Sequence, residues 1–386
     1  MQKPKVRFKG FTDDWEQRKL GEVVERITRK NENLISELPL TISAQYGLID
    51  QNEFFDKRVA SKDVSGYYLI YKSEFAYNKS TSADAPWGAI KRLDRYENGV
   101  LSTLYIVFRI RDNTKIASDF LVSYYDTNLW YKGIHEIAAE GARNHGLLNI
   151  APIDFFNTKL NIPSKIDEQK KIGKLFQYIA ENITFHQRKC EQTKKLKKYM
   201  LQKMFPKEGQ TVPEIRFEGF TDAWEKRKLI DEVISIDTGK SKFTQQGSGR
   251  YEILGSTSVI GYDDSYDYEG DFLLTARVGA NAGKLYRYSG KVKISDNTVF
   301  IKGEQLDFLY YALLHFDIKR LSFGTGQPLV KASELKAQEI MMPVEDAERT
   351  IMGEYFSNLD HLITLHQRKC DELQNIKKFM LQNMFI

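Results

Sequence analysis

Two stretches of this 386-residue chain are each written twice, with unrelated sequence between the copies, and that arrangement constrains the fold more than any single residue does. Residues 6–20, VRFKGFTDDWEQRKL, return at 215–229 as IRFEGFTDAWEKRKL. Residues 172–205 return at 352–385, and both copies carry HQRKC (186–190 and 366–370) followed by MLQ. A chain that keeps its frame and lets the rest diverge is two units in tandem, one scaffold presenting two different surfaces.

The length suffices for two domains, each able to bury a core. The N-terminus, MQKPKVRFKG, lacks the apolar stretch of a signal peptide, and no run approaches the ~20 apolar residues of a membrane span, so a cytoplasmic protein without membrane contact is expected. Its only cysteines, Cys190 and Cys370, occupy matching places in the repeat, which argues against a secreted disulfide framework. A net charge of +5 is compatible with a nucleic-acid partner without requiring one.

Residues 165–205 read as one long helix, because apolar residues recur at steps of three and four: Ile172, Phe176, Ile179, Ile183, then His186, Cys190, Met200 and Met204. Met352, Phe356, Leu359, Ile363, His366, Cys370, Leu373, Met380 and Met384 repeat the phase. Each helix is expected to run about 40 residues, or roughly 60 Å at 1.5 Å per residue. Neither buries its stripe alone, so the two are expected to pack as an antiparallel coiled-coil pair. Both start alike. Pro163 precedes the first, with Asp167 and Glu168 in its opening turn, and Pro343 precedes the second, with Glu345, Asp346 and Glu348. The first runs into a polar linker, PKEGQTVPE (206–214), and then the second short box; the second is expected to end near residue 1, closing the chain circularly.

Between the boxes lie two variable modules, at 21–161 and 230–341. The repeat spacing falls from 209 (Val6 to Ile215) to 180 (Ile172 to Met352), so the first module is 29 residues longer. Both show strand-like runs (67–71 and 101–110; 251–254 and 271–275), then an aromatic helix (119–134; 305–321). A Gly-containing loop follows, GARNHG at 141–146 and GTGQP at 324–328. The expected fold class is α+β: two mixed α/β modules separated by two long helices, pseudo-two-fold and circularly arranged. The boundaries read 1–162 for the first module with its box, 163–206 for the central helix, 207–342 for the second module and 343–386 for the C-terminal helix.

No motif for chemistry survives inspection. GANAGK at 279–284 is one residue short of a phosphate loop, and Leu285 stands where Ser or Thr belongs. Pro152, Asp154, Glu168 and Lys170 faintly suggest a magnesium nuclease, but Glu168 and Lys170 open a helix, and the second copy has Glu348 and Thr350; helix capping is the expected role. His135 and Glu136 lack the second histidine of H-E-x-x-H, and no N-P-P-Y/F or D-P-P-Y/F methyltransferase motif is present. No catalytic residue and no metal ligand is therefore assigned. His186 with Cys190 and His366 with Cys370 are paired at i, i+4 on helices expected to face each other, which leaves open a zinc site against the plainer reading of a core layer. The short box, with aromatics and carboxylates, suits a segment that caps helix ends or docks a partner. The first helix's lysines, Lys170, Lys171, Lys174, Lys194, Lys195, Lys197 and Lys198, fit a solvated face or a contact to phosphate or a subunit.

Within the modules, basic and polar residues gather with aromatics in loops: Asn78, Lys79, Ser80, Trp87, Lys91, Arg92, Arg143, Asn144 and His145 in the first, and Lys240, Lys242, Arg277, Asn281, Lys284, Arg287, Asn297 and Gln327 in the second. Arg, Lys, Asn and Gln are the side chains that read base edges, and Lys and Arg also meet phosphates. As a set, in both modules, they point to double-stranded DNA.

The alternation of module, HQRKC-type helix, module and helix, together with GARNHGLLNI (141–150) and GTGQPLV (324–330), resembles the specificity subunit of type I restriction-modification systems over residues 6–385. The resemblance implies that the modules are target recognition domains, each reading one half of an asymmetric bipartite target, and that the helices fix the spacer. It implies two methylation subunits docked on the repeated regions, flipping adenine and methylating N6, with restriction and translocation subunits joining for cleavage. S-adenosylmethionine, ATP and Mg would then sit on partner subunits, leaving this chain non-catalytic and without a cofactor. Two other readings stay open at the level of sequence: a stand-alone DNA methyltransferase or nuclease, and a coiled-coil scaffold that binds proteins rather than DNA.

Overall fold

The computed structural model describes residues 3–43, 46–57, 59–83, 85–138, 146–241, 247–321 and 328–386. The chain divides into two compact units, Met1–Phe185 with Lys369–Ile386, and His186–Arg368. The units divide inside the long helices, so each helix gives one half to each unit.

In chain order the first unit has β1 (Trp15–Lys19), α1 (Leu20–Val23), β2 (Val24–Ile27), β3 (Leu40–Ser43), β4 (Gly47–Asp50), α2 (Gln51–Phe55), β5 (Tyr68–Tyr71), β6 (Phe75–Asn78), β7 (Ala89–Arg92), β8 (Asn98–Leu101) and β9 (Ile106–Ile110). Then come α3 (Ser118–Tyr125), α4 (Tyr131–Ile137), α5 (Pro152–Asn157), β10 (Lys159–Pro163) and α6 (Ile166–Lys203), which belongs here as far as Phe185. A four-stranded sheet, β2-β9-β6-β7, forms the frame, and β1 pairs antiparallel with β10. The expected strand at 101–110 is two strands, because Tyr105 N–H bonds to the Ser102 carbonyl in a turn between β8 and β9. The expected helix at 119–134 breaks into α3 and α4: the half-buried Asp126 carboxylate is held by Lys91 and Lys377, and the Thr127 hydroxyl donates to the Tyr124 carbonyl, ending the first helix.

The second unit has β11 (Glu225–Lys228), β12 (Ser235–Thr238), β13 (Tyr251–Leu254), β14 (Val259–Asp263), β15 (Tyr268–Ala276), β16 (Leu285–Ile294), β17 (Thr298–Lys302), α7 (Leu306–Phe316), α8 (Ala332–Ala337), β18 (Glu339–Met342) and α9 (Asp346–Met384), the last as far as Arg368. Its sheet runs β12-β17-β15-β16-β13-β14. Gly270 faces Gly290 across β15 and β16, with φ of 127° and 129°, a backbone conformation that a side chain at either position would strain. Between β2 and β5 the first unit inserts the β3–β4 hairpin and α2, whereas 12 residues join β12 to β13.

Each unit packs its own short box in the same way. In the first, Arg7 donates twice to the buried Glu168 carboxylate, at 2.6 and 2.8 Å, and Val6 N–H bonds to the Asn383 carbonyl at 2.9 Å. In the second, Arg216 holds Glu348 at 2.7 Å through both nitrogens, and Ile215 N–H bonds to the Lys203 carbonyl at 2.9 Å. Helix capping alone, expected for Glu168 and Glu348, is therefore too weak a description: each fastens a box to the start of a long helix. The end of the other long helix fills the same core, with Phe385 edge-on to Trp15 at 6.2 Å and Phe205 edge-on to Trp224 at 5.7 Å. The circular closure expected from sequence is thus present in the first unit, where the C-terminal residues pack among Trp15, Phe120 and Phe176.

The long helices pair antiparallel within each unit. In the first unit, Phe176 meets Phe385 and the Cys370 thiol donates to the Ile183 carbonyl at 3.7 Å. In the second, Cys190 donates to the Ile363 carbonyl at 3.9 Å, and Lys197 pairs with Asp360 at 2.6 Å, so one lysine of the helix's basic face is tied down internally. A glycine on each helix admits a module helix. A Cβ on Gly173 would lie 2.6 Å from the Asp119 Cβ of α3, and one on Gly353 would lie 2.9 Å from the Phe308 backbone nitrogen of α7.

Candidate nucleic-acid interface

The candidate site in each unit grows from one hairpin. In the first unit β6 leaves the sheet at Asn78, whose side-chain oxygen accepts from Ser80 N–H at 3.0 Å and shapes the turn. The Lys79 carbonyl accepts from Leu148 N–H at 3.0 Å, and Thr81 N–H bonds to the Gly146 carbonyl at 2.6 Å. The tip is thereby tied to the stretch that follows the GARNHG loop. Gly88, at φ 78°, closes it; a Cβ there would lie 2.1 Å from the Asn78 carbonyl oxygen. Trp87 packs edge-on against His135 at 5.0 Å, and its carbonyl accepts from Tyr77 Oη–H at 2.8 Å. Partial burial, and then the neighbouring Arg26, push the Lys79 ammonium below the usual lysine pKa.

The second unit repeats this geometry on different residues. The Arg277 carbonyl, just past β15, accepts from Val330 N–H at 2.8 Å, and Gly279 N–H bonds to the Pro328 carbonyl at 3.1 Å. Lys79 and Arg277 hold equivalent places, as do Thr81 and Gly279, Leu148 and Val330. Arg277 N–H bonds to the Asn297 carbonyl at 2.9 Å, its Nη1 donates to the Asp296 carbonyl at 3.2 Å, and Ser256 Oγ donates to the Asn297 carbonyl at 3.2 Å. Lys284 N–H bonds to the Asn281 carbonyl, and Lys240 lies between Gly239 and Ser241, which bond to Thr298 and Ile294. Lys240, Arg277, Asn281, Lys284 and Asn297 are in this way gathered at one end of the sheet. GANAGK is the tip of the β15–β16 hairpin, with a strand and no helix after it, so it does not form a phosphate loop.

Ion pairing sorts the remaining basic candidates. Lys91 pairs with Asp126 at 2.7 Å. Arg92 reaches Asp94 at 2.6 Å and Asp119 at 2.7 Å. Arg287 pairs with Asp307 at 3.0 Å and lies over the ring of Tyr310 at 4.0 Å. Arg92 and Arg287 are equivalent: each leaves its sheet for an Asp in the first turn of the module helix, so their charge is used in packing. Among the described residues Lys79, Lys240, Arg277 and Lys284 take part in no ion pair with a carboxylate. Arg143, Asn144, His145, Lys242 and Gln327 lie outside the described residues. The pattern of the sequence did not single out Arg26, Ser256 or Asp296, which reach the tips only through pairing between distant strands.

His186 meets its own repeat counterpart, His366, Nδ1 to Nδ1 at 2.9 Å, one ring donating and the other accepting. The thiols of Cys190 and Cys370 point at backbone carbonyls, and among the described residues no group of three or more His, Cys, Asp or Glu is placed to hold a metal ion. No described helix is long and apolar enough to cross a membrane.

Residues 221–375 match the family model for the type I restriction modification DNA specificity domain. The chain is 24% identical to the type I restriction enzyme MjaVIII specificity subunit of Methanocaldococcus jannaschii, over 95% of this chain and 91% of that one. It is 27% identical to a putative type I restriction enzyme specificity subunit of Haemophilus influenzae, over 41% of this chain and 42% of the relative. In fold it is similar to the crystal structure of the type I restriction-modification S subunit from M. genitalium, with a TM-score of 0.67 at 15% identity over 100% of this chain and 99% of the other.

Proposed function

This chain belongs to the specificity-subunit family of type I restriction-modification systems, and from that premise we propose how it recognises DNA: each module reads one half of an asymmetric bipartite target through its hairpin tip. The observation that carries this reading is the recurrence of one tip geometry in both modules, with a basic side chain that no described carboxylate pairs at the same place on otherwise unlike sequence. Unlike tips on a like frame are what two different half-sites require.

The long helices set the unspecified spacer in this proposal. The boxes and helix ends dock two methylation subunits, and restriction subunits join these. Transfer of a methyl group to adenine N6, with S-adenosylmethionine, and ATP- and Mg-dependent cleavage then belong to the partners. The residues present here suit that division. Glu168, one of the two carboxylates of the nuclease-like pattern, is neutralised by Arg7, and GANAGK is a hairpin tip. A stand-alone methyltransferase or nuclease is correspondingly disfavoured.

The test is methylome sequencing of a host that expresses this chain with its methylation subunits. A single bipartite motif of two unlike halves, absent when this chain is omitted, is expected; methylation without such a motif overturns the reading. The purified chain alone is expected neither to methylate nor to cleave DNA.

A further inference from the structure

Resting on the reading of the two modules as DNA readers, we infer that Lys79 and Arg277 are equivalent phosphate clamps, which hold the DNA backbone and leave base choice to their unlike neighbours. Both residues follow the outgoing strand of the hairpin, and both offer their carbonyl to the segment behind the Gly-containing loop, at 3.0 Å to Leu148 and 2.8 Å to Val330. Around them nothing else is kept: Asn78, Ser80 and Thr81 stand where the second unit has Ala276, Val278 and Gly279. A positive charge is retained where every neighbour has changed.

A side chain that is alike in two modules cannot account for a difference between two half-sites. What the halves of a DNA target have in common is the phosphate backbone, which fixes register and carries no sequence. The surroundings agree. Lys79 has Arg26 as a second cation beside it and, among the described residues, no ion pair with a carboxylate, an arrangement that gains from an anion. Arginine is also the commonest reader of guanine, through a bidentate fork. Arg277 gives Nη1 to the Asp296 carbonyl at 3.2 Å, which anchors the guanidinium while leaving Nη2 and Nε to meet a phosphate, and the test below separates that role from base reading. Base reading then falls to Asn78 and Ser80 in the first unit and to Asn281, Lys284 and Asn297 in the second.

The experiment uses the full chain assembled with its methylation subunits and a duplex carrying the motif found in the methylome, against duplexes with either half scrambled. Binding is followed between about 50 and 200 mM salt, a range over which phosphate contacts dominate the change in affinity. Lys79→Ala and Arg277→Ala are each expected to weaken binding to all three duplexes by the same factor. Each should lower the steepness of log K against log salt by about 0.9, the contribution of one phosphate. Lys79→Arg and Arg277→Lys, which keep the charge and the carbonyl pairing, should restore the steepness, and the methylated motif should not change in any variant. Altered base preference in one half-site, or unaltered affinity and salt slope in the alanine variants, overturns the inference while leaving the modules as DNA readers. A wild-type complex that binds all three duplexes alike overturns the functional reading itself, and this inference with it.

Discussion

Arg7 with Glu168, and Arg216 with Glu348, are the residues on which each short box depends. Glu168 and Glu348 are 0% and 1% exposed, and their hydrogen bonds raise the pKa of the paired arginine. Removing one member of a buried pair leaves an unbalanced charge and costs about 3–5 kcal/mol, whereas removing both costs much less. Glu348→Ala is therefore expected to destabilise the second unit by that amount in chemical denaturation, and Arg216→Met with Glu348→Leu to recover most of it. His315 supplies a pH dependence. Stacked on Phe205 at 5.0 Å, it is held by burial below its ordinary pKa of 6.5. The unfolded chain takes up its proton first, so the stability of the second unit is complete above about pH 6.5 and declines as the pH falls from there toward the lowered folded value. His315→Phe should flatten the melting temperature over that range; an unchanged slope assigns the dependence to other groups. The sequence displayed Arg7, Glu168, Arg216 and Glu348 as repeated letters. It did not pair them, because a separation of 161 or 132 residues is bridged only by the folded chain.

At the scale of elements, the long helices were legible because a stripe at steps of three and four survives any change in what it packs against. The module helices were less so. α3 and α7 share Asp-Phe-Leu at 119–121 and 307–309, three letters that carry an ion pair to Arg92 or Arg287 and a seat on Gly173 or Gly353. So short a match is invisible without the fold, and Arg92 and Arg287 accordingly looked like DNA contacts. The seat has a testable consequence. Gly353→Val puts a Cβ 2.9 Å from a backbone nitrogen of α7, which cannot turn aside as a side chain does, and overpacking of this kind costs about 1–3 kcal/mol. The second unit should melt earlier, while Gly10→Ala, with open space around the Cβ but a φ of 98°, costs only backbone strain. Equal melting of wild type and Gly353→Val removes the close approach from the account of the fold.

Over the whole molecule, the repeat separates what must stay the same from what must differ. The boxes, the helix starts and the helix ends recur because each unit closes its core with the same parts. In the proposed reading the tips diverge because identical tips would read identical half-sites. The spacer belongs to neither, and in the proposed mechanism it is a matter of length alone, since α6 and α9 each run without interruption from one unit into the other. One added helical turn is about 5.4 Å, and duplex DNA rises about 3.4 Å per base pair, so lengthening both helices by a turn corresponds to one or two base pairs. Four residues inserted into α6 after Lys189 and four into α9 after Lys369 preserve the apolar phase on either side to within a fraction of a turn. The methylome of a host carrying that variant is expected to show both half-sites unaltered and the gap between them longer. Half-sites that change with the insertion assign base choice to the helices. A gap that stays fixed while methylation persists assigns the spacing to something other than helix length, and the tips would then have to be read as mobile relative to their frame.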